Sequence, residues 1–314
     1  MKDKKTNPFQ NKYLVPVFAS TAALAWAAAF PLIKMGISYF SIAPNDTGAK
    51  TLFAGIRFFF AGVLVLIISA ATHRNFKIGG KKQWGMMVLF GVVNTALHYF
   101  FFYLGLSNST GSRSAILDSL GTFLLIIFAC IFFKGEKMTV KKIIGCLLGF
   151  GGILLVNAGS SLQESGAFTL KGDGMIICSA LCAAFGGILT RIVTEKSDAL
   201  VATGYSLSIG GGLLIIAGAA MGGKLTKITL GGIIVLILLI LVSSLGFSLY
   251  NQLISLNPVG EVAIYNALIP VMGVILSCLL LKEPFSAKYI AAGIMVTAGI
   301  CVVNATFKKS KKKD

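Results

Sequence analysis

The sequence predicts an all-α membrane protein: ten transmembrane helices arranged as two inverted five-helix repeats. Three observations carry the prediction. First, 56% of the 314 residues are hydrophobic and only 12% are charged, about half the charge of an ordinary soluble domain. Second, the apolar residues fall in runs of roughly 20, the length needed to cross a bilayer. Third, one stretch occurs twice. Gly111–Asn157 and Gly260–Asn304 are each a long apolar run, a short charged break holding one Glu, and a second apolar run. Glu136 matches Glu283, Lys141 matches Lys288, Gly152 matches Gly299 and Asn157 matches Asn304 at one offset. Asn108 and Gly111 match Asn257 and Gly260 at an offset two residues larger. A repeat of this kind fixes the architecture.

The spans are expected at 13–38, 51–72, 83–105, 109–133, 140–158, 174–194, 199–221, 229–254, 259–281 and 287–305. The first apolar run is too long for a signal-peptide core and reads as a retained helix. The domains follow: a first repeat over 1–158, an external linker over 159–173, a second repeat over 174–305 and a basic tail over 306–314. Glycines crowd the fifth and seventh spans (Gly149, Gly151 and Gly152; Gly210, Gly211 and Gly212). Small residues let helix backbones approach closely in lipid.

Orientation comes from the basic residues. Clusters such as Lys2, Lys4, Lys5 and Lys12, Arg74 to Lys82, and Lys308 to Lys313 lie on one side if both termini are cytoplasmic. Lys282 and Lys288 are then exceptions on the outer side. Five spans per repeat is an odd number, so the halves enter the membrane in opposite directions. That plan is frequent among secondary transporters, which place the substrate near the midplane between halves. The net charge of +17 belongs to tails and loops, so it points to no nucleic acid partner; the lipid bilayer is the partner it fits. Cys130, Cys146, Cys178, Cys182, Cys278 and Cys301 all sit in apolar runs and read as packing residues. No phosphate loop, metal constellation or nucleophile–base pair is present, so neither a cofactor nor an enzyme is expected. Nothing in the sequence specifies an oligomer.

The segments ALAWAAAFPLIKMG, LFAGIRFFFAG and YLGLSNSTGSRSAILDSLGTFLLIIFACIFFKGEKMT resemble the drug/metabolite transporter superfamily, in its EamA-domain branch; LNPVGEVAIYNALIPVMGVILSCLLLKEPFS repeats the match. The resemblance covers nearly the whole chain. It implies ten helices, cytoplasmic termini, and a cavity lined mainly by helices 1, 3, 4, 6, 8 and 9. It also implies a small-molecule substrate exchanged across a cell membrane, most often an amino acid or related metabolite leaving the cell. Import of a vitamin or nucleoside-like metabolite is the alternative, and translocation of lipid head groups a further one. The proline that relatives often carry in the fourth span is missing around Gly121–Phe123, while Pro270 stands at its counterpart in the ninth.

Ionisable groups within a bilayer are costly and mark functional sites. Asp118 lies on the order of 15 Å from the outer end of its span. Asn94 reaches a similar depth, and His98 and Tyr99 follow one turn on. Asp118 could bind a substrate ammonium, carry a coupling proton, or pair with Arg57 or Arg113. Arg57 could tether helices or meet substrate. Arg113 and Lys34 would make the outer vestibule positive. His98 could pack or relay a proton. In the second half Ser244, Asn251, Tyr265 and Asn266 are the polar candidates, and Tyr265 matches Asp118 by the repeat offset. Trp26 is a cavity candidate because the family carries a Trp there. Phe58, Phe59, Phe60, Phe100, Phe101 and Phe102 read as lipid-facing bulk, and Glu136 and Glu283, in short breaks beside Lys, as turn caps and surface pairs.

Overall fold

The computed structural model describes residues 7–133, 137–157, 168–257, 262, 264–284 and 286–304. Glu136 and Glu261 lie outside them, as does most of the predicted linker. The described residues are helical, with no strand. Helix is what an apolar run must form in lipid, because each backbone N–H and C=O then finds its partner inside its own segment.

The helices are α1 (Leu14–Tyr39), α2 (Thr47–Ala71), α3 (Gly80–Ser107), α4 (Gly111–Phe132), α5 (Val140–Asn157), α6 (Leu170–Thr194), α7 (Ala199–Ala220), α8 (Leu230–Leu256), α9 (Leu268–Leu281) and α10 (Ala287–Asn304). Seven of them, α1 to α4 and α6 to α8, are long and apolar enough to cross a membrane, and the chain is a multi-pass membrane protein. Leu268–Leu281 and Ala287–Gly299 are shorter apolar helices. A 3-10 turn, Ile264–Ala267, leads into α9. The helix α6 begins at Leu170, ahead of the expected 174, because a wide π turn over Leu170–Gly174 precedes the regular helix.

Polar caps set the helix starts. Asp46 accepts from Ala49 N at 2.7 Å, and Asp198 accepts from Leu200 N and Val201 N. Thr110, Thr169 and Thr229 cap α4, α6 and α8 in the same way. These side chains satisfy N–H groups that have no partner within the helix.

Close helix pairs build the bundle. In the α2–α7 pair, Gly48 lies against Gly223, Gly55 against Ile215 and Gly62 against Ser208, so the two run antiparallel. A Cβ on Gly48 would stand 2.7 Å from the Gly223 backbone nitrogen, which no side chain tolerates. The pair α5–α10 is also antiparallel, Gly152 meeting Ala292 and Gly299 meeting Gly145. So is α4–α9, where Gly111 meets Ser277 and Gly273 meets Ala115. The N-terminal segment is fastened to the end of α8: Asn257 Nδ2 donates to Phe9 O at 2.7 Å.

Two helices are interrupted where they matter. Val92–Leu97 of α3 is a π-helical turn, a widening that often marks a functional site. The fourth helix breaks at Ser119, between Gly111–Asp118 and Leu120–Phe132. No proline causes it. Ser119 Oγ donates to the Ile116 carbonyl, and the backbone bonds on either side tighten to i→i+3, Ser119 N to Ile116 O at 3.2 Å and Thr122 N to Ser119 O at 3.0 Å. A hydroxyl bonded back to the preceding turn bends a helix in this way.

Candidate functional site

Both interruptions open onto one cavity. Its walls are stripes of single helix faces. Trp26, Ala29 and Phe30 come from α1; Asn94, His98, Tyr99 and Phe102 from α3; Asp118, Gly121, Thr122 and Leu125 from α4. Ala183, Gly187 and Thr190 of α6 face Phe247, Tyr250, Asn251 and Ile254 of α8. Asn266 and Ile269 close the ring, and Arg57 enters from α2. The spacings 118, 121, 122, 125 and 247, 250, 251, 254 are those of one helical face. The empty space is about 950 Å³ when its open mouth is included.

Each polar wall group has a definite state. Asn94 sits in the π turn, and its amide fills the place a Cβ on Gly186 would take, 2.2 Å from Oδ1. Asn251 Nδ2 donates to Thr203 Oγ1 at 2.8 Å. Asn266 Nδ2 donates to Tyr250 OH at 2.9 Å. Trp26 packs edge-on against Tyr250 and Phe247. Its Nε1 is buried and has no hydrogen-bond partner among the described residues; His98 Nδ1 is likewise buried, with only the Asn94 backbone one turn back within reach. His98 is only 9% exposed and stacks on Tyr99 at 4.2 Å. The Trp26 and His98 rings both line the cavity.

Arg57 is 1% exposed. Its Nε donates to Ser243 Oγ at 2.7 Å and its Nη1 to Tyr103 OH at 3.1 Å. The guanidinium also lies 4.5 Å from the centre of the Phe58 ring. Among the described residues no carboxylate pairs with it. Asp118 likewise has neither a hydrogen bond nor an ion pair among the described residues. Tyr99 is within electrostatic reach of both charges.

Of the roles open to Asp118, pairing with Arg57 or Arg113 is not found among the described residues. Arg113 pairs with Asp173, Nε to Oδ1 at 2.8 Å and Nη2 to Oδ2 at 2.9 Å. Asp173 also accepts from Thr169 N at 2.9 Å. Arg113 is thus consumed in a buried fork and is not a vestibule cation, nor does it line the cavity. Ser244 also lies away from the lining: its hydroxyl donates to the Ile240 and Ala61 carbonyls at 2.8 and 3.2 Å. Tyr265 packs among Ala19, Ala22, Tyr250 and Val262 rather than at the cavity wall. Of the Phe cluster, Phe60 is 52% exposed, but Phe58 and Phe102 are buried. Thr122, Thr190, Phe30 and Phe247 line the cavity without having been singled out in the sequence; the helical spacing from Asp118, Gly187, Trp26 and Asn251 was the available signal.

Comparison with known proteins agrees with this architecture. The EamA-like transporter family matches residues 14–158 and again 170–305. A Bacillus subtilis protein named uncharacterized transporter YvbV is 26% identical over 92% of this chain and 90% of its own. A second, named uncharacterized transporter YetK, is 27% identical over 84% of this chain and 80% of its own. A chloroplastic WAT1-related protein of Arabidopsis thaliana is 26% identical over 80% of this chain and 62% of its own. One solved crystal structure, 15% identical, shares the fold with a TM-score of 0.71, covering 96% of this chain and 100% of that one.

Proposed function

Because the chain belongs to the EamA-like transporter family and is a transporter rather than an enzyme, we propose that it exports a small zwitterionic metabolite, an amino acid or close relative, by alternating access. The observation that carries the reading is the state of Arg57 and Asp118. Two opposite charges line one cavity, and neither has an ion-pair partner among the described residues. A buried charge without a partner is expensive. A substrate with a carboxylate and an ammonium group supplies both partners at once. The amides of Asn94, Asn251 and Asn266 fit the remaining polar atoms of such a ligand, and Trp26, Phe30, Phe102 and Phe247 its side chain. Asp118 is also the group placed to carry a coupling proton when substrate is absent.

The machine is two inverted five-helix halves. The helix pairs support this reading: α2 against α7, α4 against α9 and α5 against α10 join repeat-equivalent helices, each antiparallel. A twofold axis in the membrane plane requires that arrangement. The family match in two segments supports it independently. The lining runs from mid-bundle to Thr190 and Ile254, near the ends of α6 and α8 on the N-terminal side. The basic clusters support a cytoplasmic location for that side in a bacterial cell; the cavity then faces the compartment from which an exporter loads.

The test is counterflow in proteoliposomes with a radiolabelled panel of amino acids, nucleosides, vitamins and lipid head groups. The reading predicts accumulation of at least one amino acid, abolished in Asp118→Asn. Accumulation only of nucleosides, vitamins or lipid head groups would overturn it.

A further inference from the structure

At the end of the bundle away from the N-terminus, one carboxylate of the second half clasps the start of α4 in the first. Glu283 follows α9, in the second half. Its Oε1 accepts from Gly111 N at 2.7 Å; its Oε2 accepts from Ser112 N at 3.1 Å and from Ser112 Oγ at 2.8 Å. Gly111 and Ser112 open α4, in the first half. The contact is thus a helix cap supplied by the other repeat, not the local turn cap expected from the sequence. The third amide of α4, Arg113 N, is taken by Thr110 Oγ1 at 3.1 Å, and Thr110 Oγ1 lies 3.5 Å from Tyr289 OH. Ser112 is fully buried. Lys34 of α1 stands within electrostatic reach of Glu283. The contact is tight because Gly111 has no side chain: a Cβ there would stand 2.5 Å from Ser277 Oγ of α9.

The position of this clasp gives it a role. Asp118 lies six residues beyond Ser112 on the same helix, on the order of 9 Å along the axis. The cavity lining begins at about that level and continues toward the opposite end of the bundle. We propose that the Glu283 clasp is the gate on the side opposite the termini: it closes that side of the cavity, and its release lets α4 separate from α9 and expose Asp118 there. The proposal rests on the transporter reading but not on any particular substrate. The chemistry suits a gate. A carboxylate on helix N-terminal amides is strongly held when dry, yet water can replace it bond for bond once the seam opens. A greasy seal offers no such exchange. Meanwhile Arg113–Asp173 keeps α4 fastened to α6, so α4 parts from α9 along one seam.

Sidedness of access tests this directly. Ala29→Cys on the cavity wall, in a background with the six native cysteines replaced, is reconstituted in proteoliposomes. A membrane-impermeant maleimide is applied to the face opposite the termini. With Glu283 intact, labelling is slow; Glu283→Gln and Glu283→Ala raise its rate by about tenfold or more. Ser112→Ala, which removes one of three bonds, raises it by about two- to fivefold and keeps the test available if the Glu283 variants fold poorly. Unchanged rates in folded, monodisperse variants would overturn the gate even where transport persists. Raised rates in a protein that moves no amino acid would leave the gate standing and remove the substrate reading instead.

Discussion

Two regions of this molecule contain the same pair of residues and use them in opposite ways. Near the end of the bundle away from the N-terminus, Arg113 and Asp173 form a two-pronged ion pair, and the carboxylate takes a further backbone N–H. In the middle, Arg57 and Asp118 line one cavity, and among the described residues neither has an ionic partner. The first pair is complete within the protein and can only hold helices together. The second is incomplete without something else. Burial does not separate the two, since Arg57 is at 1% and Arg113 at 6% exposure. Whether an opposite charge is in place does. On this reading, a charge in the bilayer marks function when the protein supplies it no opposite charge.

The largest expected effect on binding follows from the pair without ionic partners, and the largest on stability from Arg113–Asp173. Asp118→Asn should weaken binding of a zwitterionic substrate by about 10- to 100-fold, as loss of a charged hydrogen-bond partner costs roughly 1.5–3 kcal/mol. Its melting temperature should hold or rise, since a costly charge has gone. Titration of ligand-induced melting shifts checks both halves of the statement. The satisfied pair should show the inverse. Arg113→Met strands a buried carboxylate and should destabilise the fold by about 3–5 kcal/mol, read as a large drop in melting temperature in detergent. Adding Asp173→Leu should recover most of the loss. A weak effect of Arg113→Met on stability, or a strong one of Asp118→Asn, would break the comparison.

A smaller effect sharpens it. Gly186→Ala pushes a methyl group into the place held by the Asn94 amide and should cost about 1–3 kcal/mol, the range for overpacking, with most of it appearing in binding. The smallest belongs to the surface pair Arg74–Asp198, 3.5 Å apart and partly exposed. Arg74→Gln should change stability by less than about 1 kcal/mol. A two-temperature melting series on the variants would rank them.

Much of the fold was legible because lipid makes simple demands. The expected span 140–158 is the helix Val140–Asn157, and 199–221 is Ala199–Ala220. Long apolar runs broken by polar turns admit little else. The site was legible where chemistry is rare: Asp118, Asn94 and His98 stand out because polar groups seldom occur in such runs, and all three line the cavity. What failed was facing. Tyr265 matched Asp118 by offset, but it sits in a 3-10 turn of three residues per turn rather than 3.6, so the offset does not preserve direction. Ser244 looked available, yet a hydroxyl in a helix can spend its proton on the carbonyl one turn back. Asp173 and Glu283 were invisible as partners of α4 because 60 and about 170 residues of chain separate them from it.

The central claim is that the cavity reads both ends of a zwitterion, and blocked analogues test it most directly. The melting temperature of the purified protein is measured with an amino acid that stabilises it, then with its methyl ester and its N-acetyl derivative at equal concentration. Binding to the folded state raises the midpoint by mass action. The account predicts that the parent stabilises the protein, that the ester and the N-acetyl compound each lose most of that shift, and that Asp118→Asn no longer distinguishes the parent from the N-acetyl compound. Equal stabilisation by all three compounds would contradict it.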